Sequence, residues 1–402
     1  MASNQLLTIS MITKESLRVL TGSLKFATNV NNGYNSEFAI KGAKIGQTVN
    51  IRKPARYVGR TGPVVNIEAQ TETYVPLTLD QQYGVDLSFT SAEQTMSLDM
   101  YSDRVIKPAM ANIANRIDGY GFGYLSKVYN QVGAPGSAVT SLSTYLAAGV
   151  KLDNTLTPRD GLRVMVTDPN TQAVATGLGV NLFNPQPVIS EQYKTGQLAD
   201  ALGFRWFMDQ NAPSQTNGTY SGTPAVNGLT QTGSSLITNG WGSGVSAMTA
   251  GTVFTIAGVF AVNPQTKATL GVVQQFVALT NTTDTTGSMT INVSPSIVSS
   301  GAFQNVSRAP TTGDLITVAG ATGVTTQLSG AFHRDAFVMG VADLDVPGGT
   351  DMAYRASDPQ TGLSVRVIRD YNVVTDQWIT RFDILFGFNT LYEQLACRVA
   401  TS

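Results

Sequence analysis

The sequence predicts an α+β chain with a projecting β-ribbon and an inserted all-β domain. Three observations carry this reading. Apolar residues alternate with polar ones from 73 to 89, a helical apolar stripe runs between 99 and 131, and charge almost vanishes between 206 and 331. Period-2 alternation marks a strand with one buried face, and a 3.6-residue period marks a helix. Of the 53 charged residues, only Asp209, Lys267, Asp284, Arg308 and Asp314 fall in the charge-poor segment.

Composition narrows the function classes. The 402 residues are 42% hydrophobic, enough for sizeable cores, and 13% charged, about half the usual share. With 26 basic and 27 acidic side chains the net charge is −1, which argues against a dedicated nucleic-acid binder or a polybasic membrane-surface protein. One Cys excludes a disulfide scaffold or a thiolate metal site, and one His disfavours zinc and Ser-His-Asp chemistry. No basic region precedes the apolar residues at the start, and no apolar run reaches 18 residues. Neither a secretory signal nor a membrane-spanning helix is therefore expected. The four Asn-x-Ser/Thr triplets, at Asn217, Asn281, Asn292 and Asn305, read as chance in an Asn- and Thr-rich chain. The expected compartment of folding is the cytoplasm.

The first 40 residues read as an arm with one helix. Thr13 is the expected N-cap, with Glu15 in the first turn. Leu17, Leu20, Leu24 and Ala27 repeat at helical spacing, and Asn29, Asn31, Asn32 and Gly33 are expected to end the helix. Lys14, Arg18 and Lys25 occupy a neighbouring face. They read as a solvated basic face, or as contacts for an acidic partner.

Residues 41–92 read as a two-stranded extended loop. Val49 and Ile51 begin the first strand, which Pro54 stops. Val75, Leu77, Leu79, Tyr83, Val85, Leu87 and Phe89 share one parity. At ~3.3 Å per residue, a continuous strand over 73–89 would reach about 55 Å. Such a ribbon needs a partner for its apolar face, and the simplest is another copy of the chain. Arg52, Lys53, Arg56 and Arg60 form the densest basic run, at the ribbon, and read as ion-pair partners for a neighbouring copy.

Residues 93–139 should hold the long helix, carried by Ile106, Met110, Ile113 and Ile117, with a start or kink at Pro108. Gly119, Gly121 and Gly123 read as a bend or as close packing; GYGFGY lacks the preceding strand of a dinucleotide fingerprint. Over 140–205 a mixed α/β segment is expected. Leu162, Val164 and Val166 make a strand, Asp168 caps a helix opened by Pro169, and a second helical stretch near 190–203 ends at Gly203.

The charge-poor segment 206–331 reads as a small barrel or sandwich, with strands at 252–262, 272–279, 288–293 and 315–319. Its Gly/Ser/Thr-rich part, 211–248, leaves disorder open. In 332–402, Leu363, Val365 and Val367 pair with Trp378, Phe382, Ile384, Phe386 and Phe388. This pair is expected to close the domain that 140–205 begins.

The chain offers little catalytic chemistry. His333 stands alone in AFHRDAF, and Cys397 reads as a small buried side chain. No phosphate loop, nucleophile elbow or metal-spaced acidic cluster occurs. No catalytic residue, cofactor or metal is expected.

The stretches ITKESLRVL, VNNGYNSEFA and KIGQTVNIRKPAR near the start resemble the major capsid proteins of tailed double-stranded-DNA bacteriophages, in the phage P22 coat protein branch. So do EQYKTGQLADALGFRWFMDQNAP, FTIAGVFAVNPQTKATLGVVQQFV, SPSIVSSGAFQNVSRAP, AFHRDAFVMGVADLDVPGG and the closing LSVRVIRDYNVVTDQWITRFDILFGFNTLYEQLACRV. The resemblance implies the Hong Kong 97 phage capsid fold. Its parts would be an N-terminal arm, an extended loop, a peripheral domain with a spine helix, an axial domain and an inserted β-barrel. It implies hexamers and pentamers closing an icosahedral shell around double-stranded DNA, with a scaffolding protein and a portal and without sequence-specific DNA contact. The place of action would be the virion. On this reading Val85, Leu87 and Phe89 at the loop base join the basic run as inter-subunit contacts. With five charges the insert offers few ionic contacts, and no acid is identifiable as catalyst of a Lys–Asn cross-link. Two rivals stay open: an encapsulin-like compartment of the same fold, and a β-rich binding module presenting Trp241.

Overall fold

The structure is a computed structural model. It describes residues 9–38, 45–60, 62–65, 67, 72–89, 102–180, 196, 198, 200–242, 246–284, 286–349, 352–358, 361–373 and 377–401. In chain order, α1 (Ile9–Ser23) precedes β1 (Thr48–Lys53), β2 (Thr73–Thr78) and β3 (Gln81–Phe89). A π-turn over Ser102–Ile106 leads into α2 (Lys107–Gly123). Then come β4 (Gln131–Val132), α3 (Ser143–Asn154), β5 (Arg163–Thr167), α4 (Pro169–Val180), β6 (Asp200–Ala201) and β7 (Phe204–Met208). The charge-poor stretch contributes β8 (Ser214–Thr216), β9 (Ala225–Val226), β10 (Gly233–Asn239), β11 (Ser246–Met248), β12 (Val253–Val262), β13 (Thr269–Ala278), β14 (Thr282–Asp284), β15 (Ser288–Ile297) and β16 (Ile316–Val318). The chain ends through β17 (Thr325–His333), β18 (Phe337–Ala342), β19 (Met352–Ser357), β20 (Ser364–Asn372), β21 (Gln377–Thr390) and β22 (Ala396–Thr401).

The chain forms two compact units. One comprises Met1–Ile51, Tyr74–Gly121 and Phe337–Asn389, the other Arg52–Thr73, Phe122–Ala336 and Thr390–Ser402.

The first unit is built on the sheet β18-β21-β20-β19, with β3 also paired to β21. Buried Phe382, Ile384, Phe386 and Phe388 give β21 its apolar face, and Met110, Ile113 and Ile117 give α2 its own. Pro108 is the second residue of α2, directly after the π-helical turn, so the change from π to α geometry falls where the proline ring removes a backbone donor. Gly121 is a close-packing glycine: an added Cβ would stand 2.7 Å from Cε1 of Phe388. Asp118 is buried and accepts the backbone N–H of Lys25 at 2.6 Å and of Ala27 at 2.8 Å, which pins the arm.

Three expectations are corrected here. The strand over 73–89 is not continuous: it breaks at Leu79–Asp80, so β2 pairs with β1 and β3 pairs with β21 of the same chain. The side-chain parity nonetheless runs through the break, with Leu77 and Leu79 buried. Thr13 is not an N-cap, because α1 already includes Ile9 and the Thr13 hydroxyl donates back to the Ile9 carbonyl at 2.7 Å. The helix stops at Ser23, short of Asn29, and Ala27–Asn29 is a separate 3₁₀ turn.

The second unit holds a sheet of order β4-β22-β17-β5-β7-β6, with β8 pairing the start of β17. Asp168 caps α4, its Oδ2 accepting the N–H of Asn170 and of Thr171 at 3.1 Å. The helix expected near 190–203 lies mostly outside the described residues. At its end the chain is a hairpin instead, with Ala201 paired to Phe204 and both Leu202 and Gly203 at positive φ. That suits the primed turn a two-residue hairpin needs. The strands that join β5 in this sheet are β17 and β22, whereas β20 and β21 belong to the first unit. The expectation that they close the domain begun by 140–205 is therefore overturned: their alternation marked a face, not which sheet receives it.

The charge-poor segment forms the sheet β16-β12-β13-β15-β10-β9 and the small pair β11-β14. Ala225 bridges Leu315, and the Ile316 N–H donates to the Pro224 carbonyl at 2.8 Å, so the sheet's two outer strands meet. Trp241, Phe254, Phe276, Ile291 and Val293 fill the interior. Residues 211–242 carry strands, so the described part of the Gly/Ser/Thr-rich stretch is ordered.

Candidate assembly surfaces

The loop between β1 and β2 presents large apolar side chains to solvent. Val64 is 80% exposed, Val65 72% and Ile67 89%, and Tyr74, the second residue of β2, is 66% exposed. Large apolar side chains left in water within a short stretch of chain are candidates for a contact site. Charge, the most visible feature of this loop in the sequence, does not mark these residues. The Pro63-Val64-Val65 run was the available signal.

The basic run divides by environment. Arg52 is exposed and pairs with Glu72 of the same loop at 3.3 Å. Arg60 is exposed and donates to the Gly62 carbonyl. Lys53 turns inward, its ammonium 5.4 Å from the centre of the Tyr392 ring. Arg56 donates to Gln394 Oε1 at 3.0 Å and lies over Phe303 at 5.6 Å. Lys53 and Arg56 thus rest on their own chain.

Val85 and Leu87 are half-buried in β3, on a groove of about 460 Å³ shared with Arg104, Val105, Pro108 and Ala109. Phe89 closes β3, its backbone paired with Trp378. On the arm, Lys14, Arg18 and Lys25 are exposed. The Arg18 guanidinium pairs with Glu15 at 2.6 Å, and that hydrogen bond holds the Glu15 carboxyl below its usual range against a burial effect that raises it.

The residues weighed for chemistry are structural in their surroundings. His333 is buried, its Nε2 3.1 Å from Asp160 Oδ2, and its Nδ1 accepts the Asp335 N–H at 3.2 Å. Burial pushes the Cys397 thiol up to about 12, which leaves it protonated and inert. Trp241 is fully buried, donates to Thr238 Oγ1 at 2.7 Å and meets Tyr220 edge-on, so its ring is not presented to a ligand. Among the described residues no three His, Cys, Asp or Glu side chains gather as a metal site, and no helix is long and apolar enough to cross a membrane.

A family model described as "P22 coat protein - gene protein 5" matches residues 1–396, and the chain belongs to the P22 coat protein family. It is a phage capsid protein with the Hong Kong 97 type of fold. Among solved structures it is similar to one titled for Mycobacterium phage Che8, at 12% identity over 94% of this chain and 90% of that chain, with a TM-score of 0.47. It is also similar to the mature capsid of bacteriophage PhiM1, at 10% identity over 94% and 86% with a TM-score of 0.43. The CUS-3 coat protein I-domain aligns at 25% identity over 26% of this chain and 97% of that chain, with a TM-score of 0.18. A comparison with curated proteins found no match.

Proposed function

We propose that this chain is the major capsid protein of a tailed double-stranded-DNA phage, assembling as hexamers and pentamers into an icosahedral shell. The observation that carries the reading is the P22 coat protein family model, which matches residues 1–396; the exposed apolar side chains of Val64, Val65 and Ile67 between β1 and β2 fit it. In water that surface is unfavourable at about 25 cal/mol per Å² of apolar area, and a second copy is the partner present at highest concentration during assembly. Several such elements per subunit would bury more than the ~2,000 Å² of an ordinary obligate pair.

Within this reading, 1–40 is the arm, 41–92 the extended loop, 93–139 the peripheral domain with its spine helix, and 140–205 the first part of the axial domain. Residues 206–331 are the insert, and 332–402 return to the core. Arg52, Arg60, Val85, Leu87 and Phe89 serve as inter-subunit contacts alongside the apolar loop. Lys14, Arg18 and Lys25 face a partner of the arm. A scaffolding protein and a portal take part, and assembly occurs in the host cytoplasm. A net charge of −1 suits a shell that encloses DNA without gripping it.

The test is to express the chain alone and with its candidate scaffolding partner, then measure sedimentation and image by negative stain. Closed particles of megadalton mass, made uniform by the scaffold, are the expected result. Uniform particles without any scaffold would favour a cellular compartment. A monomer under every condition would overturn the assembly reading.

A further inference from the structure

Two neighbouring cavities in the second unit collect more positive than negative charge among the described residues. The larger, about 530 Å³, is lined by Lys53, Arg56, Tyr129, Phe303, Tyr392 and Glu393 among others. The second shares Arg56, Tyr129, Asn305 and Gln394 with it and adds Lys151. Lys267 stands beside them, its ammonium held by the carbonyls of Pro264 at 2.7 Å and Ala302 at 2.6 Å. Glu393 is the one carboxylate among the described residues lining either cavity, and it accepts from the Ser294 hydroxyl. No described carboxylate lies within ion-pair distance of Lys53, Arg56, Lys151 or Lys267.

The electrostatics agree with the geometry. Burial lowers Lys53, Lys151 and Lys267 below the usual lysine range. The Arg56 charge lowers Lys53 and Lys267 further, while Glu393 offsets this only at Lys53. Four cations facing one engaged carboxylate repel one another in a partly desolvated space, where the repulsion is screened less than at an open surface. The amide nitrogen of Gln394, whose Oε1 is taken by Arg56, adds a donor suited to an oxyanion.

We propose that Lys53, Arg56 and Lys151, with Lys267 behind them, form a phosphate-binding site at the base of the ribbon. A phosphate there would neutralise the cluster and tie the loop base (Lys53, Arg56) to α3 (Lys151) and to the C-terminal segment at Gln394. The phosphate is either a free ion or a group on a nucleic-acid backbone. The site does not depend on the shell reading, because it is complete in one copy.

The test uses the unassembled full-length chain. Thermal unfolding is followed at constant ionic strength while inorganic phosphate replaces chloride in the millimolar range. A saturable rise of about 2–4 °C is expected, lost in Arg56→Gln and Lys151→Gln and kept in Lys14→Gln. Lys151→Gln decides if Arg56→Gln fails to fold, since no hydrogen bond of the Lys151 side chain is removed with it. A rise that does not saturate is general salt stabilisation. That result, no rise, or an equal rise in the variants would overturn the site. In a second arm a short DNA duplex replaces phosphate at the same ionic strength. A saturable rise that Lys151→Gln abolishes assigns the site to a nucleic-acid backbone, and no rise with the duplex assigns it to the free ion.

Discussion

Gly121 of the long helix lies directly against Phe388 of β21, with room for a hydrogen and none for a methyl group. An added Cβ would stand 2.7 Å from Phe388 Cε1, 2.8 Å from its Cζ and 3.0 Å from Cε1 of Phe26. Both rings are buried and cannot swing aside. Gly121→Ala should therefore destabilise the chain by about 1–3 kcal/mol through overpacking. Gly123, two residues on, has nothing within 4 Å of its Cβ position. Gly123→Ala should stabilise, by up to about 1 kcal/mol, from helix propensity alone. Urea unfolding of the unassembled chain reads both, and opposite signs are the expected result.

Asp383 is buried between two guanidiniums, Arg366 at 2.6 Å and Arg381 at 2.8 Å. Arg366 is itself mostly buried. Asp383→Ala leaves a desolvated cation without its partner, a change that costs about 3–5 kcal/mol. Arg381 is half exposed, so Arg381→Ala should cost far less. Equal losses for the two, measured by denaturant midpoint, would refute this ranking.

In the insert, the Arg308 guanidinium holds the Asp314 carboxyl below the usual carboxylate range, against burial, which raises it; the Thr311 N–H assists. A depressed folded pKa means the contribution is complete above the unfolded value of about 3.9 and is lost as pH falls through the folded one. Unfolding followed through the insert should therefore weaken below about pH 4. Asp314→Asn should flatten that acid limb and lower stability at neutral pH. An unchanged acid limb would remove the pair from the account.

Trp241 separates the shell reading from the binding-module reading. Its ring is fully buried in the insert. Trp241→Ala should cost about 3–5 kcal/mol. A binding-face tryptophan would be replaced with little effect on unfolding and would shift ligand affinity instead.

Much of this architecture was legible in the residues. The strands expected at 252–262 and 288–293, which fall on β12 and the first part of β15, the Asp168–Pro169 helix start and the stripe of α2 follow from local period and capping chemistry. What the sequence hid was non-local. The parity from Val75 to Phe89 is continuous, so nothing local announces that β2 turns to β1 while β3 turns to β21. Likewise Val365 and Phe382 show an apolar face without saying which sheet takes it. Gly203 fits a helix C-cap as well as it fits the hairpin turn it serves between Ala201 and Phe204, and nothing local separates the two. At the candidate surfaces the basic run was visible, yet the inward turn of Lys53 and Arg56 onto Tyr392 and Phe303 depends on partners more than 240 residues away.

Replacing Val64 and Ile67 with Asp should leave unfolding of the isolated chain within about 0.5 kcal/mol of the parent, because neither side chain is packed. The same double variant should fail to close particles in sedimentation. Normal particles would exclude the loop from assembly.

The measurement that bears most directly on the central claim is a cryo-electron microscopy map of particles assembled from the unaltered chain, at side-chain resolution. The account predicts closed shells in which Val64, Val65 and Ile67 lie buried on an adjoining copy. Shells that leave these three side chains in solvent would contradict it, as would a chain that yields no particles at all.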